Sequence, residues 1–237
     1  MTDVSIVIPT HNRREFLSEA IESVRDQTYD SYECIVVDGG STDGTSSYLR
    51  DLSDDQIVPV IRDQAYGVND ARNVGIEEAS GSYIVTLDSD DLLYPHAVEQ
   101  LVSVISERPA SCAGVFAGKE VISQHDRVIT RDVPPGRMTE ATLDDVRSIG
   151  GPSGVLFKRD ALVDVGGVDS SLPSRGDLDL YLRLLREYSL FGVDTIVCVR
   201  RLHESQLSKN QEQIREGIRA VMAKHRDLLD KNDKRQS

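Results

Sequence analysis

The sequence predicts an α/β domain, with a mostly parallel central sheet flanked by helices. Three observations lead there. "VSIVIP" is a continuous apolar run, as a strand covered on both faces requires. Strand-like and helix-like patterns alternate over residues 1–120, the rhythm of βα units. Three of these strands run directly into polar, turn-forming residues, where open parallel sheets keep their ligands.

The elements follow in order. After the first strand, Phe16, Leu17, Ala20, Ile21 and Val24 recur at helical spacing. "YECIVVD" is a second strand, "GTSSYLRDL" a short helix and "IVPVIRD" a third strand. "VNDARNVGIEEA" is a helix with Val68, Ala71, Val74 and Gly75 on one side. "SYIVTLD" is the fourth strand and "HAVEQLVSVISE" another helix. Beyond residue 120 the pattern loosens. "VISQHDRVITRDVPP" reads as a hairpin-like excursion, "TLDDVRSI" as a short helix and "GVLFKRD" as a strand. "DLDLYLRLLREY" is amphipathic, with Leu178, Tyr181, Leu182 and Leu185 on one face. "FGVDTIVCVRRLH" is a last strand, and residues 210–231 form a charged final helix. No internal repeat or linker divides the chain, which reads as one domain over residues 1–237.

Composition excludes several functions. Hydrophobic residues make up 39% of the 237, enough for a packed core rather than a disordered chain. The net charge of -13 repels phosphate backbones, so nucleic acid is not an expected partner. Six Lys against 21 Arg, and 26 Asp against 14 Glu, predict a salt-adapted protein. Cys34, Cys112 and Cys198 are odd in number and lie in apolar runs, as buried thiols in a reducing compartment do. No apolar stretch approaches the ~20 residues that span a bilayer. The N-terminus reads as a first strand rather than a signal peptide. A cytoplasmic location follows as the expectation, with peripheral contact at a membrane surface left open.

The polar strand ends carry the chemistry. They are Pro9-Thr10-His11-Asn12, Asp38-Gly39-Gly40-Ser41 and Asp88-Ser89-Asp90-Asp91. If the strands are parallel, the three clusters share one rim. Asp88 and Asp90 stand two apart at a strand end, so an extended backbone points both to one side. Oxygen ligands of this kind suit Mg2+ or Mn2+. The competing reading is that Asp90 or Asp91 caps the helix beginning near Pro95. An EF-hand loop is excluded, because Leu93 holds its glycine position.

Two long stretches, "SIVIPTHNRREFLSEAIESVRDQTYDSYECIVVDGGSTDGT" and "GVNDARNVGIEEASGSYIVTLDSDD", resemble the family 2 glycosyltransferases of GT-A fold. The similarity extends more weakly through "GGVDSSLPSRGDLDLYLRLLRE" to "RRLHESQLS", over residues 3–208. The resemblance implies an inverting, metal-dependent transfer of sugar from a nucleotide donor, a UDP-sugar by preference. The acceptor would be a hydroxyl of a glycan or lipid-linked sugar. Residues 1–120 would be the nucleotide-binding half, 121–208 the acceptor half and 209–237 a C-terminal helix.

It also implies residue roles. Pro9, Thr10 and Asn12 would lie against the nucleotide. Asp38 would accept a hydrogen bond from the base, although an Asx turn into Gly39-Gly40 is an equal use of it. Arg72 would lie near the nucleotide and the carboxylates; its alternative is a surface ion pair. Asp88 and Asp90 would hold the ribose and the divalent cation, with Asp91 sharing the work. Asp177 would be the general base, taking the acceptor's proton. Its alternative is an ordinary helix N-cap or dipole partner. The family often carries Glu before this Asp, and here Gly176 departs from that pattern. Asp179 is expected to be structural. His203 would contact metal or diphosphate; its alternative is a hydrogen-bonded structural histidine.

Two other functions compete. A haloacid-dehalogenase-like phosphatase also places Asp-x-Asp after a strand. It needs the motif on the first strand and leaves "DGGSTDGT" without a role. A non-catalytic carbohydrate- or nucleotide-sugar-binding module is kept open by the missing Glu.

Overall fold

The computed structural model describes residues 2–123, 127–133, 137–138, 146, 149–203 and 210–227. The chain begins with strand β1 (Val4–Thr10), helix α1 (Arg14–Arg25), β2 (Tyr32–Asp38) and α2 (Thr45–Asp51). It continues through β3 (Ile57–Ile61), α3 (Val68–Glu78), β4 (Tyr83–Thr86), β5 (Leu92–Leu93) and α4 (Ala97–Ser106). Then come β6 (Cys112–Ser123), β7 (Val128–Asp132), β8 (Arg137–Met138), β9 (Val155–Lys158) and α5 (Arg159–Asp164). The last described elements are α6 (Gly176–Glu187), β10 (Ser189–Leu202) and α7 (Gln211–Lys224).

One mixed sheet runs β3-β2-β1-β4-β9-β6-β10-β5, with β7 paired to β6 and β8 to β10. β1 is parallel to both β2 and β4. The expectation of one shared rim is therefore met: the polar ends of β1, β2 and β4 leave the sheet side by side. β9 enters antiparallel between β4 and β6 and brings the preceding loop, residues 150–154, back to that rim.

The apolar runs place core on both faces of the sheet. Ile6 and Ile8 of β1 pack with Leu17, Ile21 and Leu101 of α1 and α4. Val7, pointing the other way, packs with Ala71, Ile76, Leu180 and Tyr181 of α3 and α6. Gly75 lets α3 lie close to the sheet, since a Cβ there would sit 2.3 Å from Val7 Cγ1. The three cysteines are free and buried, as expected.

Several expectations need correction. β6 is a twelve-residue, almost wholly buried central strand that the pattern did not predict. Gly114 and Gly118 interrupt its apolar signal and Lys119-Glu120 contradict it. At Gly114 a Cβ would lie 2.7 Å from the Leu156 carbonyl oxygen, so the neighbouring strand requires glycine there. Helix α6 buries Leu178, Tyr181, Leu182 and Leu185 as their spacing requires, and Leu180 and Leu184 besides. The final helix covers Gln211–Lys224, with a turn at His225 and helical residues again at 226–227; residues 228–231 lie outside the described residues. The hairpin reading holds where described, with Ile122 opposite Val128. "TLDDVRSI" lies outside the described residues except for Val146 and Ile149.

Among the described residues no helix is long and apolar enough to cross a membrane.

Candidate active site

The end of β1 is stitched to the end of β2. The His11 ring bonds the Gly39 carbonyl oxygen through Nδ1 at 2.9 Å. Asn12 takes a positive φ of 52°. Its backbone N–H donates to Ser41 Oγ at 2.8 Å, and its Oδ1 accepts from the Thr42 N–H at 2.8 Å. Pro9 and Thr10 are buried beside this junction, and Thr10 Oγ1 has no partner. Asp38 is fully buried. Its Oδ1 accepts from the Ser41 N–H at 3.2 Å and from Ser41 Oγ at 2.5 Å, while Ser46 Oγ donates to Oδ2. The Asp38 carboxylate thus braces the glycine-rich loop through Ser41, three residues on.

Helix α3 delivers Arg72 from behind. Arg72 is 8% exposed, so the surface-arginine alternative is not what the fold contains. Its Nη2 donates to Asp88 Oδ1 at 2.7 Å and its Nη1 to Asn69 Oδ1 at 3.2 Å. Arg72 Nε is buried without a partner.

The three carboxylates of Asp88, Asp90 and Asp91 offer oxygens within 4.8 Å of one another. The route differs from the expected one. β4 stops at Thr86, and the segment turns, with the Asp91 N–H donating to the Asp88 carbonyl oxygen at 3.0 Å. The turn gathers three carboxylates where an extended strand would align two. Helix capping is not their role, because α4 starts at Ala97 with His96 in the cap position. Burial, then the charges of Asp88 and Asp90, push the Asp91 carboxyl up to about 7. Such mutual repulsion beside a cluster of oxygen donors fits a hard divalent cation.

Around the cluster the chain supplies orientation. Ser153 Oγ accepts from the Asp88 N–H at 3.0 Å and donates to Asp91 Oδ2 at 2.6 Å. The Arg201 N–H donates to Asp91 Oδ1 at 3.1 Å, and Arg201 Nε to the Asp90 carbonyl oxygen at 2.6 Å. His203 stacks on Phe16 with ring centroids 4.5 Å apart, and its Nε2 lies 2.9 Å from Asp90 Oδ2. The histidine thus reaches the cluster through Asp90. Lys119 Nζ, also buried, donates to the Gly151 carbonyl oxygen, and burial lowers its pKa. Ser153, Arg201, Lys119 and Asn69 escaped sequence reasoning. Only the glycines around Ser153 and the Arg pair before His203 gave a signal.

Asp177 sits in the first turn of α6. It is not the N-cap: Arg175 holds that position, with φ 63° and no side-chain cap bond. Asp177 lines a cavity of about 20 Å³ with Arg72, Thr86, Pro152 and Tyr181. The sheet therefore brings it to the Arg72 side of the carboxylate cluster. The glycine before it has a local cause, since a Cβ at Gly176 would lie 2.6 Å from Asn69 Nδ2 and Oδ1. Asp179 is structural, as expected. It is fully buried, with Arg183 Nε and His225 Nε2 each at 2.8 Å and Lys224 Nζ at 2.9 Å.

The comparisons decide the family. The family model for glycosyl transferase family 2 matches residues 5–166. The chain belongs to that family. An uncharacterized glycosyltransferase of Rickettsia felis is 28% identical over 211 residues, covering 87% of this chain and 35% of that protein. The chain thus spans about a third of that relative's length. Escherichia coli WfgD, a UDP-Glc:alpha-D-GlcNAc-diphosphoundecaprenol beta-1,3-glucosyltransferase, is 28% identical over 88% of this chain and 80% of its own. S. aureus TarS in complex with UDP-GlcNAc superposes with TM-score 0.74 at 19% identity, covering 94% of this chain and 66% of TarS. Mannosyltransferase PcManGT from Pyrobaculum calidifontis, in complex with GDP-Man and Mn2+, gives TM-score 0.70 at 19% identity, covering 93% of this chain and 63% of its own. The family 2 domain therefore has the GT-A fold, and the phosphatase reading falls: Asp88 follows β4, not the first strand.

Proposed function

We propose that this domain transfers a sugar from a UDP-sugar to a hydroxyl of a glycan or lipid-linked acceptor, with inversion at the anomeric carbon. The reading is supported by the gathering of Asp88, Asp90 and Asp91, by the Arg72–Asp88 pair, and by the cavity that Asp177 lines together with Arg72. Pro9, Thr10, Asn12 and Asp38 would form the nucleotide end, within a donor half of residues 1–120. Residues 121–208 would complete the acceptor side.

Asp88, Asp90 and Asp91 would hold Mg2+ or Mn2+. His203, bonded to Asp90, would keep that carboxylate aimed at the ion. When bound, the cation would stabilise the negative charge gathering on the departing diphosphate. Arg72 contributes a second, permanent positive charge there. Asp177 takes the acceptor hydroxyl's proton as that oxygen forms its bond to the anomeric carbon. The bond from that carbon to the diphosphate oxygen breaks, and its electron pair leaves with the nucleoside diphosphate. Attack opposite the leaving group inverts the centre.

The UDP preference is supported by the UDP-GlcNAc bound to TarS and the UDP-Glc in the WfgD name. The lipid-linked acceptor is supported by the WfgD name as well. Such an acceptor would be met at a membrane surface, through the Arg-bearing helix α7. The test is transfer from a panel of UDP-sugars to GlcNAc-diphospholipid and free glycan acceptors, with the product anomer read by NMR. An inverted product is expected, and Asp177→Asn should cut turnover roughly 10²–10⁴-fold while leaving donor affinity nearly unchanged. Retained configuration, or an unimpaired Asp177→Asn, would overturn the mechanism.

A further inference from the structure

Asn69 stands where three parts of the site meet. It lies in the first turn of α3 and is 6% exposed. Its Nδ2 donates to the Asp169 carbonyl oxygen at 3.3 Å and to that of Leu172 at 3.5 Å, in the loop that leads into α6. Its Oδ1 accepts from Arg72 Nη1 at 3.2 Å, while Arg72 Nη2 holds Asp88. The amide rests on the bare Cα of Gly176, where an added Cβ would meet Nδ2 and Oδ1 at 2.6 Å and Cγ at 2.7 Å. A Cβ at 176 would therefore displace the Asn69 amide from its observed position.

A guanidinium held at both Nη atoms has a fixed plane. Held at one, with Nε unpaired, it can pivot about the Asp88 contact. We infer that Asn69 is a positioning residue of this site: seated against Gly176, its amide ties the loop leading into the helix that carries Asp177 to the Arg72–Asp88 pair. This rests on the donor-site reading above. It adds that Gly176 serves to admit Asn69.

Calorimetric binding of UDP with Mn2+, alongside thermal melts, tests it. The proteins are wild type, Asn69→Ala, Gly176→Ala and the double variant. Gly176→Ala should lower both Tm and affinity, because the new methyl displaces the amide. Asn69→Ala should weaken UDP binding roughly tenfold, the scale of one hydrogen bond to a charged group. In the double variant the methyl has room, so Tm should recover to that of Asn69→Ala while affinity stays about tenfold weak. A purely structural Asn69 would recover both together, and that result overturns the inference. So does wild-type affinity in Asn69→Ala, or additive Tm losses in the double variant. If wild type binds neither UDP, GDP nor dTDP, the donor reading fails by itself. The melts then decide for Asn69: sub-additive losses sustain the shared space, and additive losses refute it.

Discussion

Replacing Asp179 with Asn removes one charge from a site where three cationic or ionisable side chains converge. The carboxylate has no exposure, and Arg183, Lys224 and His225 all lie within 2.9 Å of it. It joins α6 to Lys224 at the end of α7 and to His225 just beyond, two residues after Asp177. Burial alone would raise its pKa, but the hydrogen bonds from His225, Lys224 and Arg183 outweigh that and hold it well below the usual carboxylate range. Breaking a buried pair from one side costs about 3–5 kcal/mol. Lys224 is 37% exposed and screened by water, so the lower end, about 3 kcal/mol, is expected. For a domain of this size that is a Tm loss of roughly 6–12 °C at neutral pH. The pH dependence has a definite sign. A carboxylate with a depressed folded pKa stabilises fully above its unfolded value of about 4, and the contribution is lost as pH falls through the folded value. Melts of wild type and Asp179→Asn from pH 7 down to 3 should therefore show a steady gap to about pH 4 that begins to narrow below it. A gap that stays constant with pH, or no gap at pH 7, would refute the reasoning.

Other perturbations have equally direct outcomes. Arg72→Met leaves Asp88 without its cation and should weaken UDP binding at least about tenfold, read by calorimetry. Gly75→Ala forces a methyl against the buried Val7 side chain and should cost about 1–3 kcal/mol, measured by chemical denaturation. The excess of Asp with few Lys predicts that fold and activity persist only in molar salt. Full activity in dilute buffer would contradict that.

Most of the first 120 residues were legible because their signals are local. β2 matches the run "YECIVVD" residue for residue, and α1 buries Leu17, Ala20, Ile21 and Val24 as their spacing requires. Parallel pairing of β1, β2 and β4 then had to bring their polar ends together. Strand β6 was harder because its signals are mutual. β6 needs glycine at 114 for a neighbouring strand, and Lys119 is buried by a loop 32 residues away. Asn69 shows the same limit: nothing in "GVNDARN" announces an amide whose partners lie about 100 residues on. Asp38, Asp90 and Asp177 could be named as candidates from the sequence. That Asp38 braces its own loop, or that a turn collects three carboxylates, depends on backbone that only the fold defines.

The most direct test of the account is UDP binding by calorimetry in high salt, with and without Mn2+, for wild type and Asp90→Ala. Three carboxylates this close predict binding that strengthens with Mn2+ in the wild type and is lost in Asp90→Ala. UDP affinity indifferent both to the metal and to Asp90 would contradict it.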